Sequence, residues 1–144
     1  MQGLPHIYKI TAGGRAEGSV SLATPNVAPL ESAAPAEFGG PGTSWSPETL
    51  LVGAVAACFI LTFRAVARAS GIAWRSLGCD VEGRLERQAG VLRFTEFVVR
   101  ARLTVEPGTS EEKARGALEK AEKSCLVSNS LAAARRLEAQ VATA

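Results

Sequence analysis

A chain of 144 residues, 47% of them hydrophobic, is long enough to bury a core as one domain, 1–144, without staples. A net charge of +2, with no dense Lys/Arg run and no interleaved aromatics, speaks against a nucleic-acid partner. Three cysteines at wide spacing, no CxxC pair and the single His6 speak against an extracellular disulfide framework, a zinc site and a Cys–His nucleophile.

The opening MQGLPHIYKI has no charged segment followed by an apolar stretch, so no secretory signal is expected and the expected compartment is the cytoplasm. Residues 7–11 and 19–24 alternate like strands around Gly13, Gly14 and Gly18, which predicts a hairpin with Arg15 and Glu17 on its tip. Residues 27–31 read as a third short strand. The stretch FGGPGTSWS, 38–46, is loop by its Gly and Pro content. Neither GK[ST] nor GxGxxG accompanies those glycines, so a tight approach to the next element is expected rather than a phosphate cradle.

That element, SPETLLVGAVAACFILTFRAVAR, organises the chain. Ser46 can cap the first free amides, Pro47 suits the first helical position and Glu48 complements the positive end of the dipole. Gly71 is a natural C-terminal cap, giving a helix of roughly 23 residues and about 35 Å. Its continuous apolar run, Leu50 to Leu61, is about a dozen residues, shorter than a membrane span requires, so a core helix with no membrane is expected. Small residues at Gly53, Ala54, Ala56 and Ala57 suit a closely packed partner helix. Cys58 sits in the middle.

Beyond Gly71 the period falls to two, with Cys79, Val81, Gly83 and Leu85 inward and Asp80, Glu82, Arg84 and Glu86 outward. Residues 88–90 turn the chain into a second strand, 91–106, whose parity shift between Phe94 and Phe97 predicts a β-bulge. Thr109-Ser-Glu-Glu112 is a capping-box pattern opening a second helix, with Ala114, Ala117, Leu118 and Ala121 inward and Glu111/Arg115 and Glu119/Lys123 as exposed pairs. Ser124-Cys125 ends it. Ser128-Asn129-Ser130 reads as the opening of a third short helix, 131–135, followed by a last strand through Leu137, Ala139 and Val141. Strands, long helix, strands, helix and strand make an α+β domain.

With these elements in place, the chain resembles the OsmC/Ohr family, the osmotically induced protein C and organic hydroperoxide resistance proteins. Gly13-Gly14-Arg15, SPETLL…AACF from Ser46 to Phe59, and Lys123-Ser-Cys125-Leu-Val-Ser128 carry the likeness. The family often has a proline after the second cysteine, where Leu126 stands here. The resemblance implies antiparallel sheets wrapped around a long central helix in an intertwined homodimer. It further implies a cysteine-based peroxidase in which Cys58 attacks the peroxide, Cys125 resolves it as a Cys58–Cys125 disulfide, and Arg15 with Glu48 forms the activating pair. The implied partners are an organic hydroperoxide and a dithiol reductant, lipoyl-type or another thiol, with no cofactor or metal.

The chemistry of the residues runs the same way. A thiolate is the nucleophile, yet burial raises a thiol's pKa and a mid-helix position gains nothing from the N-terminal dipole, so Cys58 needs a cation. Arg15 can supply it through a fork of donors oriented by Glu48; Arg64, about one and a half turns past Cys58, is a rival. Glu48 lies about 15 Å from Cys58 along the helix, so the partner subunit is expected to supply one of them. Helical spacing puts Ala54, Val55, Leu61 and Thr62 around the thiol, and Phe38 and Trp45 lie in the preceding loop, an apolar approach suited to an alkyl tail. Cys79, inward on its strand, reads as structural and His6 as incidental. A non-enzymatic dimer that holds a hydrophobic ligand between buried, inert cysteines is the alternative.

Overall fold

The computed structural model describes residues 2–144, which form two compact units, residues 2–50 and 51–144, whose boundary falls inside the long helix. The N-terminal unit holds a three-stranded antiparallel sheet of β1 (Thr11–Gly14), β2 (Val20–Ala23) and β3 (Leu30–Ser32) in that order. The hairpin forms in a different register from the expectation. Gly13 and Gly14 belong to β1, paired with Ser21 and Val20, and only Gly18, at φ +93°, takes the left-handed conformation the turn requires. Residues 7–10 are not in a strand, and Leu4, Ile7, Tyr8 and Ile10 are all exposed. A 3₁₀ turn at Ala36–Phe38 and the expected loop lead to the helix.

The helix α1 runs Pro47–Ser70, as its start and stop signals predict. The Ser46 hydroxyl accepts from the Thr49 amide at 3.1 Å, the Thr49 hydroxyl accepts from the Ser46 amide at 2.9 Å, and Gly71 ends the helix at φ +66°. The flanks of the apolar run contribute more than expected. By length and composition α1 is apolar enough to cross a membrane, with a mean hydropathy of 2.2 over its best 18-residue window. Val55, Phe59, Phe63, Val66 and Ala67 nonetheless form one buried stripe that packs into a protein core, as in a core helix.

In the C-terminal unit, β4 (Trp74–Gln88), β5 (Val91–Val105) and β6 (Ala134–Thr143) form a sheet in that order, with β4–β5 antiparallel and β5–β6 parallel. A tight turn with Ala89 and Gly90 at positive φ joins β4 to β5. The predicted bulge is present: Phe94 pairs with Leu85 and Glu96 with Arg84, leaving Thr95 unpaired. The parity shift therefore brings both Phe94 and Phe97 against the core, their rings stacked at 5.2 Å. Gly83 stands where a Cβ would come within 2.9 Å of Val52 and 3.0 Å of both rings, so α1 approaches the sheet through the absence of a side chain.

A parallel partner for β5 requires a crossover, and the segment from α2 (Glu111–Ser124) through α3 (Leu126–Asn129) supplies it. The cap of α2 is Ser110, whose hydroxyl accepts from the Lys113 amide at 3.2 Å; Thr109 instead donates to the Ala73 carbonyl. Ala114, Ala117, Leu118 and Ala121 are buried as expected, and Glu111 pairs with Arg115. No Glu119–Lys123 ion pair forms among the described residues. The third helix lies earlier than predicted. Ser128-Asn129-Ser130 closes α3 rather than opening a helix, because the Ser130 hydroxyl turns back to the Leu126 carbonyl at 2.8 Å and its amide to Val127 at 3.0 Å. Residues 131–133 belong to no helix, and Arg135 already belongs to β6.

Candidate active site

Within the C-terminal unit the fold brings Cys58, in the fourth turn of α1, to Cys125 at the junction of α2 and α3. Both are free thiols, near enough that each perturbs the ionisation of the other. The contact follows from the crossover: α2 packs its alanine stripe into the same core as α1, and its C-terminus delivers Cys125, which is 1% exposed.

The two thiols are shifted in opposite directions. Burial opposes ionisation of Cys58, but hydrogen bonds from the Val127 amide, the Cys125 thiol, the Thr62 hydroxyl (3.8 Å) and the Leu126 amide outweigh it and hold the thiol below its ordinary value. Burial pushes the Cys125 thiol up; Ser128 offsets part of this, while the proton directed at Cys58 and the Cys58 charge add to it. As pH rises, Cys58 loses its proton first and Cys125 keeps its own, an ionised nucleophile beside a protonated thiol. Cys79 is different. Burial and the Asp80 charge hold it up, Arg102 opposing, and it donates to the Ala56 carbonyl at 3.9 Å.

Residue chemistry predicts a cation beside Cys58, yet inside this unit the support comes from the amides that follow Cys125, with the Cys125 thiol and the Thr62 hydroxyl. Nothing in residue identity announces a backbone amide. Thr62, four residues from Cys58 and thus on the same helix face, was legible by spacing. Leu126 occupies the first position of α3, where proline fits, and the Cys125 backbone, at ψ 107°, already has the extended conformation a following proline favours. Leu126→Pro removes one donor to Cys58. We expect the Cys58 pKa to rise and its alkylation by iodoacetamide near neutral pH to slow by about three- to tenfold, measured against the ultraviolet thiolate titration. An unchanged titration would mean that the Leu126 amide contributes nothing.

Arg15 and Glu48 lie in the N-terminal unit. Arg15 is exposed on the β1–β2 hairpin, and no Arg15–Glu48 ion pair exists among the described residues. Glu48, in the first turn of α1, has its Oε2 buried without a hydrogen-bond partner, as does the Ser32 hydroxyl. Both line a cavity of about 500 Å³ that is walled chiefly by Val20, Leu22, Phe38 and Leu50. Of the other residues expected near the thiol, Ala54 and Leu61 are exposed on α1, whereas Val55 turns away into the core. Arg64 is exposed and makes no ion pair among the described residues. No cluster of metal-ligating side chains occurs among the described residues.

Comparison with known proteins adds an independent line. The family of OsmC-like proteins matches residues 40–139. The chain is 30% identical to the uncharacterized protein YmaD of Bacillus subtilis over 100 residues, 67% of each chain. Among solved structures, an OsmC-like protein of unknown function from Vibrio cholerae superposes with a TM-score of 0.84 at 16% identity, covering 94% of this chain and all of that one. An organic hydroperoxide resistance protein from Legionella pneumophila, also described as a predicted redox protein, superposes at 0.76 with 25% identity over 97% and 99% of the two chains. With its long central helix, its sheets and the match over residues 40–139, the chain belongs to the OsmC/Ohr family of OsmC-like proteins.

Proposed function

We propose that this protein is a thiol-dependent peroxidase that reduces organic hydroperoxides to alcohols through Cys58 and Cys125. The observation that carries the reading is the contact between two free thiols with opposite shifts, one poised to ionise and one held protonated. The Cys58 thiolate attacks the peroxide oxygen; the S–O bond forms as the O–O bond breaks, and the alkoxide takes up a proton and leaves as alcohol. Cys58 is then a sulfenic acid, oxidised by the two electrons the peroxide gained. The Cys125 sulfur attacks it, an S–S bond replaces the S–O bond, and water departs with the Cys125 proton. An external dithiol reduces the disulfide by exchange.

The working unit in this reading is a homodimer whose two compact units act as one domain. Only 28% of the most apolar window of α1 is buried within the chain, and Ala54, Ala57 and Leu61 form an exposed flank that a second copy would cover. Arg15 and Glu48 of one chain complete the site around the cysteines of the other. The unpartnered Glu48 carboxylate then has an Arg15 guanidinium to receive, and the guanidinium binds the peroxide oxygens.

The apolar cavity beside Glu48 supports a substrate with an alkyl tail. Each buried methylene contributes about 0.8 kcal/mol, so cumene or tert-butyl hydroperoxide should exceed hydrogen peroxide in kcat/KM by about tenfold or more under one dithiol reductant. Equal efficiencies would leave a general peroxidase and assign the apolar surface to dimer packing. The same cavity is what a non-enzymatic carrier of a hydrophobic ligand would use. Thiols inert to peroxide would favour that alternative.

A further inference from the structure

Along the inward face of β6 the pattern Leu137, Ala139, Val141 begins one step earlier with a charged residue, Arg135. A guanidinium at a core-facing position is tolerated only when its donors are met, and here they are met by one short stretch of chain. Its Nε donates to Glu122 Oε1 at 2.7 Å, Nη2 to the Glu122 carbonyl, and Nη1 to Asn129 Oδ1 at 2.6 Å. The Arg135 and Glu122 side chains are 24% and 17% exposed, whereas every other ion pair among the described residues exposes at least 39% of each side chain. Glu122 lies three residues before Cys125 and Asn129 four residues after it. One side chain thus ties both flanks of the Cys125 turn to a strand held in register with β5.

We infer that Arg135 is the positioning residue that holds Cys125 against Cys58, so that disulfide closure outruns over-oxidation; this rests on the peroxidase reading above. Arg135 touches neither sulfur in the structure and acts through the Glu122–Asn129 turn. The guanidinium fork fits this task because it engages a carboxylate, a carbonyl and an amide oxygen at once, which a lysine ammonium cannot match in a fixed plane. Loosening the turn withdraws part of the support that the Leu126 and Val127 amides give Cys58 but leaves the nucleophile itself seated on α1, so the first reaction with peroxide slows less than the closure does. It lengthens the life of the sulfenic acid, which a second peroxide converts to sulfinic acid.

The test separates the two oxidation steps. In single-turnover reactions of the reduced protein, Asn129→Ala and Arg135→Gln should consume the first peroxide equivalent within about threefold of the wild-type rate but close the Cys58–Cys125 disulfide slower by about tenfold or more. Mass spectrometry should find Cys58 sulfinic acid accumulating with excess peroxide. Asn129→Asp, which keeps the acceptor, should restore closure. Asn129 is exposed, so its variants test the proposal even if Arg135→Gln does not fold. A parallel arm uses diamide, which takes two electrons and two protons from the pair of thiols and needs no peroxidase activity. If the wild type closes with diamide but ignores peroxide, the peroxidase reading falls and the slowed diamide closure of the variants still supports the positioning role. Closure by Asn129→Ala within about twofold of wild type in both arms overturns it.

Discussion

Replacing Cys58 with serine should lower peroxide turnover by about a thousandfold or more, because a serine hydroxyl stays protonated where the thiol is drawn toward ionisation. The hydrogen bonds from Val127, Cys125, Thr62 and Leu126 lower the pKa of a thiol; none of these donors can remove a proton from an alcohol. Cys125→Ser should behave differently. It should consume about one equivalent of peroxide at near the wild-type rate and then stall, with Cys58 trapped as sulfenic acid and passing to sulfinic acid in excess peroxide. Stopped-flow peroxide consumption with intact-mass analysis reads both outcomes. After peroxide treatment of the wild type, peptide mapping should find Cys58 joined to Cys125 and Cys79 free. Normal turnover by Cys58→Ser, or Cys79 in the bridge, would overturn the assignment.

A mixture of two inactive variants should recover activity. If Arg15 of one chain serves Cys58 of the other, a heterodimer of Cys58→Ser and Arg15→Ala chains carries one complete site, whereas both homodimers lack an essential residue at every site. With random pairing half the dimers are mixed, so a co-refolded equimolar pool should show about a quarter of wild-type activity. Were Arg15 and Cys58 to act within one chain, every site in the mixture would be defective and nothing would return. A folded, fully active monomer in sedimentation measurements would defeat the dimeric site as well.

The clearest sequence signals were those in which one residue type has one physical use. Ser46, Pro47 and Gly71 bounded α1 to the residue, and the parity shift between Phe94 and Phe97 located the Thr95 bulge. The errors fell where short polar residues serve either end of an element. Serine hydroxyls cap amides at a helix start and carbonyls at its finish, so Ser128-Asn129-Ser130 pointed to a helix after it when it closed the one before. Glycines at 13 and 14 suggested a turn, yet β1 is a narrow edge strand that accommodates them. At the site, Cys58, Cys125 and Thr62 were readable as side chains at helical positions. The amides of Leu126 and Val127 were not, since their direction depends on the crossover. Nor was Arg135, whose partners lie 13 and 6 residues away and meet only once β6 has paired with β5.

The parallel β5–β6 pairing also bears on the order in which the site is made. During synthesis Cys58 emerges before Cys125, and the strand that carries Arg135, residues 134–143, emerges only after both. A ribosome-bound chain therefore holds the Cys58 thiol well before the turn that both activates and resolves it is anchored. In that interval Cys58 has Cys79, on the neighbouring strand, as the other thiol of its own chain within the nascent fold. Peroxide met co-translationally would favour over-oxidation or a mispaired bridge, and protection would arrive all at once, when β6 docks.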